Sequence, residues 1–467
     1  MSYRKDGALE KKGDSYYHQI ECASEDEIIK IQEEKLQAQM AYLSKNSKLY
    51  QQKFEKAGIR FDEIKTLKDL AKVPFTVKQD LRDSLQAAPP FGLHQTAPLS
   101  EIVQMQASSG TTGSPAYVAL TENDIEMWNE LSARGFYACG VNPGDFVLHG
   151  FSMSKGFVGG IPCMQAIQYM GAIDVPVGAD GGVDRLLRAC ADIKPRVIIG
   201  APNFLLHIAS MAPDILGKRA DELGVERLVV GGEPGGGIPA IRESLEEKWG
   251  AKVCEMMGGT DLGVIYWAEC DEQDGMHMIC QDHIIVELID PETEQVIPFE
   301  KGVTGELIYT AIGREASPVV RFKSGDHIVV TDTACSCGRT GPKIRCFGRT
   351  DDMLIVRGIN VFPSAIQDLI LQLQPDTNGV MRVWADFEGH TTQANLKVLV
   401  ERGIDRSKEQ DQELISHVEQ TIRNALSFKA KVIVVDANSF EKPGVAKVAL
   451  TLREQPGFLT LDDEGAQ

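Results

Sequence analysis

Between residues 24 and 58 the apolar positions recur at helical spacing. Ile28, Ile31, Leu36, Met40 and Leu43 fall on one face. Ser24-Glu25-Asp26-Glu27 stands in front of them in the order of a capping box. Gly58 suits the left-handed residue that ends a helix. From about residue 100 to 270 short apolar runs alternate with helical patterns. Val197-Ile198-Ile199 and Leu228-Val229-Val230 are such runs, each followed by a loop that starts with glycine. A run without polar alternation is a strand covered on both faces. Residues 242–249 read as a helix between the second run and Val253. The pattern predicts an α/β layer architecture with its strands inside.

The texture changes near Ile284. Residues 285–289 and 306–309 read as strands, with a polar turn at Asp290-Pro291 after the first. A final stretch starts near Gly348. It mixes strands at 396–400 and 431–435 with an amphipathic helix from about residue 411 to 428, as in a small α+β unit. No repeat is apparent, and the last dozen residues read as a tail. Two domains are expected, 1–349 and 350–467.

With 467 residues and 43% hydrophobic content, the chain is long enough for more than one core. Its net charge of -19 argues against a nucleic-acid or anionic-membrane partner. An anionic small substrate stays open, because backbone dipoles and a few local cations hold it. No stretch is apolar enough to span a bilayer. The N-terminal residues lack the apolar core of a signal peptide, so a cytoplasmic location is expected. In that compartment the ten cysteines are thiols or metal ligands rather than disulfides. Cys270, His277, Cys335 and Cys337 supply three thiolates and an imidazole, the donor set of a closed, structural zinc site. Cys280, His283 and Cys346 are substitutes for any of these. The remaining cysteines sit in apolar or mixed contexts and are expected to pack as small hydrophobes.

The sharpest motif is Ser108-Ser109-Gly110-Thr111-Thr112-Gly113-Ser114-Pro115. Eight small residues cannot build core, and such a loop can bring N–H groups and hydroxyls around phosphate oxygens. By composition alone it is equally an ordinary flexible loop. No Gly-Lys-Ser/Thr follows, so it is not a Walker loop, and no GxGxxG follows a strand. The order of residues resembles the signature of the adenylate-forming enzymes: acyl-CoA synthetases, luciferases and peptide-synthetase adenylation domains. The phenylacetate–CoA ligase family is the nearest in pattern, and residues 50–82 also look like that family's N-terminal region. The resemblance extends over nearly the whole chain.

This resemblance implies a large N-terminal adenylate-forming domain of layered sheets and helices, with a small mobile α+β C-terminal domain. It implies an ATP site at Ser108, Ser109, Gly110, Thr111, Thr112 and Gly113 around the phosphates. Gly232, Glu233 and Pro234 would hold the adenine. In Met257-Gly258-Gly259-Thr260-Asp261, Gly259 and Thr260 would lie against the α-phosphate, and Asp261 stands where the family has glutamate as a magnesium ligand. Asp326 would bind the ribose hydroxyls, with Arg349 beside them and Asp351 at the interdomain hinge. Arg357-Gly358-Ile359-Asn360 would line the path of the CoA thiol. Phe151, Phe157 and Gly258 would border the acyl pocket, with Lys155 pairing a polar substituent or reaching solvent. Some relatives also carry the Cys/His set. Dimers are common among them, which makes a homodimer an expectation too.

One position departs from the family pattern. Aligning on Gly444 puts Val445 where the family has its catalytic lysine. Lys447 lies two residues on and is the preferred substitute; Lys442 lies before the turn. The activity implied is that of an AMP-forming ligase for an aromatic or arylacetic acid, using ATP, Mg²⁺ and coenzyme A. Two alternatives stay open. One is an adenylate-forming enzyme with a carrier-protein thiol or cofactor hydroxyl as acceptor. The other is a non-catalytic homologue that binds nucleotide or acyl ligand.

Overall fold

The computed structural model describes residues 17–107, 116–154, 156–350, 352–404, 406–440 and 449–459. Ser108 to Gly113, Lys155, Asp351, Lys442, Val445 and Lys447 lie outside them. No helix among the described residues is long and apolar enough to cross a membrane.

The N-terminal pattern forms α1 (Glu25–Asn46) and α2 (Lys48–Ala57). The capping box is present, with the Glu27 carboxylate accepting the Ser24 N–H at 2.9 Å. The expected single helix breaks at Ser47, which is extended and whose hydroxyl caps α2. Gly58 ends α2 at φ +67°. The buried face of α1 also holds Gln32 and Gln39, whose amides donate to the carbonyls of Gln281 and Arg314. Such partners are distant in sequence, so periodicity could not assign these two residues inward. A third helix, α3 (Lys78–Ala87), and a hairpin of β1 (Gln104–Ala107) and β2 (Tyr117–Leu120) lead into α4 (Glu122–Ala138).

Next comes the alternation read from the sequence: β3 (Phe146–His149), α5 (Ile161–Tyr169), β4 (Ile173–Val175), α6 (Val183–Ile193), β5 (Val197–Gly200), α7 (Pro202–Leu216), β6 (Arg227–Val230), α8 (Pro239–Trp249) and β7 (Lys252–Gly259). These strands pair in parallel in the order β4-β3-β5-β6-β7. The predicted runs are their centre: Val197, Ile199, Leu228, Val229 and Val230 are fully buried.

The same sheet then continues antiparallel. Its further strands are β8 (Gly263–Glu269), β9 (Met276–Met278), β10 (Ile284–Ile289), β11 (Val296–Ile297), β12 (Thr304–Ala311), β13 (Phe322–Asp332) and β14 (Lys343–Arg349), in the order β8-β9-β14-β13-β12-β10-β11. The change of direction falls within β7. Lys252 to Glu255 pair with β6, and Met256 to Gly259 pair with β8.

After Arg349 the chain leaves this sheet. β15 (Leu354–Val356), β16 (Ile359–Val361), α9 (Pro363–Gln372), β17 (Thr377–Trp384), β18 (Thr391–Thr392), β19 (Leu396–Arg402), α10 (Asp411–Leu426), β20 (Ala430–Val435) and β21 (Thr451–Leu452) form two small sheets and two helices. They enclose a separate core around Val356, Ile370, Met381, Val398 and Val418. The whole is a large α/β body followed by a small α+β unit, the fold class that the sequence implied.

Candidate active site

Loops at the carboxyl ends of parallel strands are where α/β sheets gather ligand groups. Here those loops follow β3, β5, β6 and β7, and all carry polar or glycine-rich sequence. The loop after β6 runs from Gly231 to Gly237. Gly232 has φ +85° and is exposed, and a Cβ there would lie 3.6 Å from the Phe151 ring. The nucleotide-motif loop and the aromatic loop therefore touch. Glu233 Oε1 accepts the backbone N–H of Asn203 at 3.1 Å and its Nδ2–H at 3.0 Å. Beneath the loop lies Glu255. A Cβ on Gly236 would sit 2.9 Å from the Glu255 Cβ, and one on Gly237 would collide with its carboxylate.

Glu255 is the centre of a buried charge cluster at the switch in β7. Its backbone N–H donates to Glu269 at 2.8 Å, and Arg242 grips Glu269 through Nη2 at 2.6 and 2.7 Å. Burial, then the neighbouring Glu269, push the Glu255 carboxyl up to about 7.

Thr260 and Asp261 form the turn between β7 and β8. Gly258 precedes it, where a Cβ would strike the Val264 carbonyl. Desolvation raises the Asp261 carboxyl, against the pull of Lys78, Arg314 and Arg349. These cations come from three distant segments and make the surroundings of the turn electropositive. Arg314 is buried over the Trp128 ring, 4.7 Å from its centroid, and Nη1 donates to the Leu262 carbonyl at 3.3 Å. Asp326 on β13 and Arg349 on β14 are paired across the ladder and form an ion pair, with Asp326 3% exposed. Arg349 also donates to the Ser324 carbonyl at 2.9 Å.

The aromatic loop after β3 is held from three sides. Phe151 and Phe157 meet edge to face with centroids 6.1 Å apart. Behind them His149 lies 2.9 Å from Asp174 through Nδ1 and donates from Nε2 to the Gly159 carbonyl at 2.8 Å. Asp180 accepts from the Ser152 hydroxyl and from the N–H groups of Met153 and Ser154. The Gly156 carbonyl accepts the N–H of Ala107, the last residue of β1, at 2.8 Å. Phe151, Gly232 and Glu233 thus belong to touching loops, and Gly258 at the end of β7 leads into the Thr260–Asp261 turn. Arg357 to Asn360 belong to a different place. They form the tip of the β15–β16 hairpin, with Arg357 and Gly358 both at positive φ, as a two-residue primed turn requires. Arg357 is exposed and its Nε donates to the Gln393 carbonyl.

Cys270, His277, Cys335 and Cys337 converge, their ligand atoms lying within 4.8 Å of one another. Cys270 Sγ is 3.7 Å from Cys335 Sγ, and Cys337 Sγ is 3.5 Å from His277 Nε2. Tetrahedral zinc with bonds of about 2.3 Å to sulfur and about 2.0 Å to nitrogen sets these spacings at about 3.8 and about 3.5 Å. The donor set therefore fits the ion. It joins the β8–β9 hairpin to the loop between β13 and β14. Next to it Arg339 donates to the buried Glu21 carboxylate at 2.7 Å and holds the N-terminal segment.

Several residues escaped the sequence reading. Asn203, Lys78, Arg314 and the Glu255–Glu269–Arg242 cluster have no motif. Asn203 had one usable signal, a polar residue after Pro202 at the carboxyl end of a buried strand.

A family model described as AMP-binding enzyme matches residues 23–313, and one described as AMP-binding enzyme C-terminal domain matches residues 358–448. The first covers more than half of the chain, which belongs to the AMP-binding enzyme family. Within that family it is similar to phenylacetate-coenzyme A ligases. That of Thermus thermophilus is 34% identical over 82% of this chain and 84% of the relative. That of Aromatoleum evansii is 31% identical over 94% and 97%. Among solved structures, 2-hydroxyisobutyryl-CoA ligase in the postadenylation state with R3-HIB-AMP aligns with TM-score 0.87 and 27% identity, over 96% of this chain and 94% of the other. The same ligase with 2-HIB-AMP and CoA in the thioesterification state aligns at 0.70 and 28%, over 94% and 92%.

Proposed function

We infer that this chain is an AMP-forming acid–CoA ligase. It activates a carboxylic acid as an acyl-adenylate and transfers the acyl group to coenzyme A. The observation that carries this reading is the near full-length similarity to phenylacetate-coenzyme A ligases. The acid is proposed to be aromatic or arylacetic, because Phe151 and Phe157 stand edge to face beside the Gly232 loop.

In the first half-reaction one carboxylate oxygen attacks the α-phosphorus of ATP, forming the mixed anhydride while pyrophosphate departs. Thr260 is proposed to donate to the α-phosphate, and Gly232, Glu233 and Pro234 to hold the adenine. Asp326 and Arg349 would meet the ribose. Their ion pair aims that carboxylate in a buried place, where its oxygens can accept hydroxyl donors. Lys78, Arg314 and Arg349 make the field around the turn favourable to phosphate charge. Asp261 is proposed to hold Mg²⁺, which would supply charge neutralisation there. Ser108 to Gly113 are proposed to wrap the phosphates, and Lys447 or Lys442 to supply the cation between carboxylate and phosphorus.

In the second half-reaction the CoA thiol attacks the acyl carbon and AMP leaves. The division at residues 349/350, with Asp351 as hinge, would let the C-terminal unit turn between the two steps and bring Arg357 to Asn360 to the thiol's path. The higher TM-score to the postadenylation state than to the thioesterification state supports two such arrangements. Zinc at Cys270, His277, Cys335 and Cys337 is proposed as a structural staple. A cytoplasmic protein, active as a monomer or homodimer, accommodates all of this.

The test is pyrophosphate release from ATP and Mg²⁺ with a panel of aromatic acids, with and without CoA, on the wild type and on Lys447→Ala and Lys442→Ala. Release that needs an acid, with thioester appearing when CoA is added, is expected. One of the two variants should lose it. Failure of every acid, with ATP still bound, would sink the ligase reading.

A further inference from the structure

Glu233 sits on the loop proposed to hold adenine, yet its contacts reach into the C-terminal unit. Asn203 occupies the second position of α7, and both its backbone N–H and its Nδ2–H donate to Glu233 Oε1. A carboxylate at a helix N-terminus is favoured by the helix dipole, so this half of the link is rigid. The other half is not part of the large body. Asn203 Oδ1 accepts from Gln367 Nε2 at 2.9 Å, and Gln367 lies on α9. Gln367 is 6% exposed, and its own Oε1 has no hydrogen-bond partner among the described residues. A buried amide satisfied at one end costs stability, which an apolar residue of the same size would not.

One further contact runs the same way. Asp368, the residue after Gln367, accepts the N–H of Ala240 at the start of α8, at 3.4 Å. Arg382, on β17 of the C-terminal unit, feels the charge of Glu401 first and that of Glu233 second. One rotation of the C-terminal unit would break both hydrogen bonds together. The arrangement that keeps them is the one nearer to the postadenylation relative.

We propose that Asn203 and Gln367 are positioning residues for the adenylation half-reaction, which hold the Glu233 loop in its nucleotide-binding form only while the C-terminal unit is in the arrangement seen here. Once the unit turns for thioester formation, Glu233 loses the Gln367–Asn203 support. The loop relaxes when the adenylate is to be consumed and AMP released. This rests on the ligase reading above.

The experiment separates the two half-reactions on the full-length chain. ATP–pyrophosphate exchange with an accepted acid reads the first. Thioester formation from synthetic acyl-adenylate and CoA reads the second. Asn203→Ala should lower exchange by about tenfold or more, the scale of a hydrogen bond to a charged group, and Gln367→Met by roughly three- to tenfold, the scale of a neutral one, both chiefly through KM for ATP. Thioester formation should be unchanged in Gln367→Met, whose bond to Asn203 is absent from that arrangement in any case. The double variant should be no worse than Asn203→Ala, because both act on one link. Arg382→Gln, from a half-buried strand position, gives the same readout without touching the link. Equal losses in both half-reactions, or exchange at the wild-type rate, would overturn the proposal. Wild type without exchange for any acid overturns the ligase reading, and the link with it.

Discussion

The two halves of the twelve-stranded sheet are held by different means. In the parallel half, β3 to β6 are short and mostly aliphatic, and helices on both sides cover them. Hydrophobic burial dominates there, and the polar loops are pushed to the carboxyl ends. In the antiparallel half β12, β13 and β14 are longer and richer in charge, and buried ion pairs recur: Arg321 with Glu287 and Arg339 with Glu21. Its outlying loops are gathered at a Cys/His cluster rather than by core. The seam between the halves is polar. Where β7 turns from β6 to β8, the Glu255 N–H finds the Glu269 carboxylate in place of a strand partner, with Arg242 as counter-ion. The lesson is positional. The loops after β3 and β6 in the candidate site are displayed by the half that is stable through burial, and charge is concentrated where two strand geometries must be joined.

Breaking each region should give a different signature. The largest effect is expected in the parallel half. Val229→Asp puts a charge at the centre of β6 and should cost about 5 kcal/mol or more, leaving no soluble cooperative fold by chemical denaturation. At the seam, Arg242→Ala strands buried Glu269 and should cost roughly 3–5 kcal/mol, read in the same assay. A loss no larger than that of a surface substitution would show that the seam is not held by charge. In the antiparallel half, the proposed zinc site predicts one zinc per wild-type chain by metal analysis, lost in Cys335→Ser together with several degrees of melting temperature. Hydrogen exchange should quicken around residues 270–280 and 333–345 while β3 to β7 stay protected. Faster exchange throughout would erase the distinction between the halves.

The smallest effect is a pH dependence at the seam. The Glu255 carboxyl titrates near 7 in the fold but in the ordinary carboxylate range when unfolded. The folded chain therefore binds this proton more tightly. The resulting stabilisation is full below the unfolded range and is lost as pH rises through about 7. Glu255→Gln removes that dependence. Its stability relative to wild type should increase as pH rises between those limits, measured by denaturant midpoint at several pH values. A constant difference across that range would place the proton elsewhere.

What the sequence alone determined was whatever is local or periodic. Short unbroken aliphatic runs rich in Val and Ile and followed by glycine suit two-faced strands, so the α/β centre at residues 197–199 and 228–230 was legible. The Ser24 cap and the Gly58 terminus are chemistry within four residues. The family was legible because its motifs lie in a fixed order. Tertiary structure alone decided what depends on distant partners. Ser47 breaks a helix whose pattern runs on. Gln32 and Gln39 turn inward because carbonyls more than 240 residues away accept their amides. No local signal could show that the charges of Lys78, Arg314 and Arg349 would be felt at Asp261, or that Gln367 would reach Glu233 through Asn203. Ion pairs and hydrogen bonds carry no sequence period, so only the closed fold selects their partners.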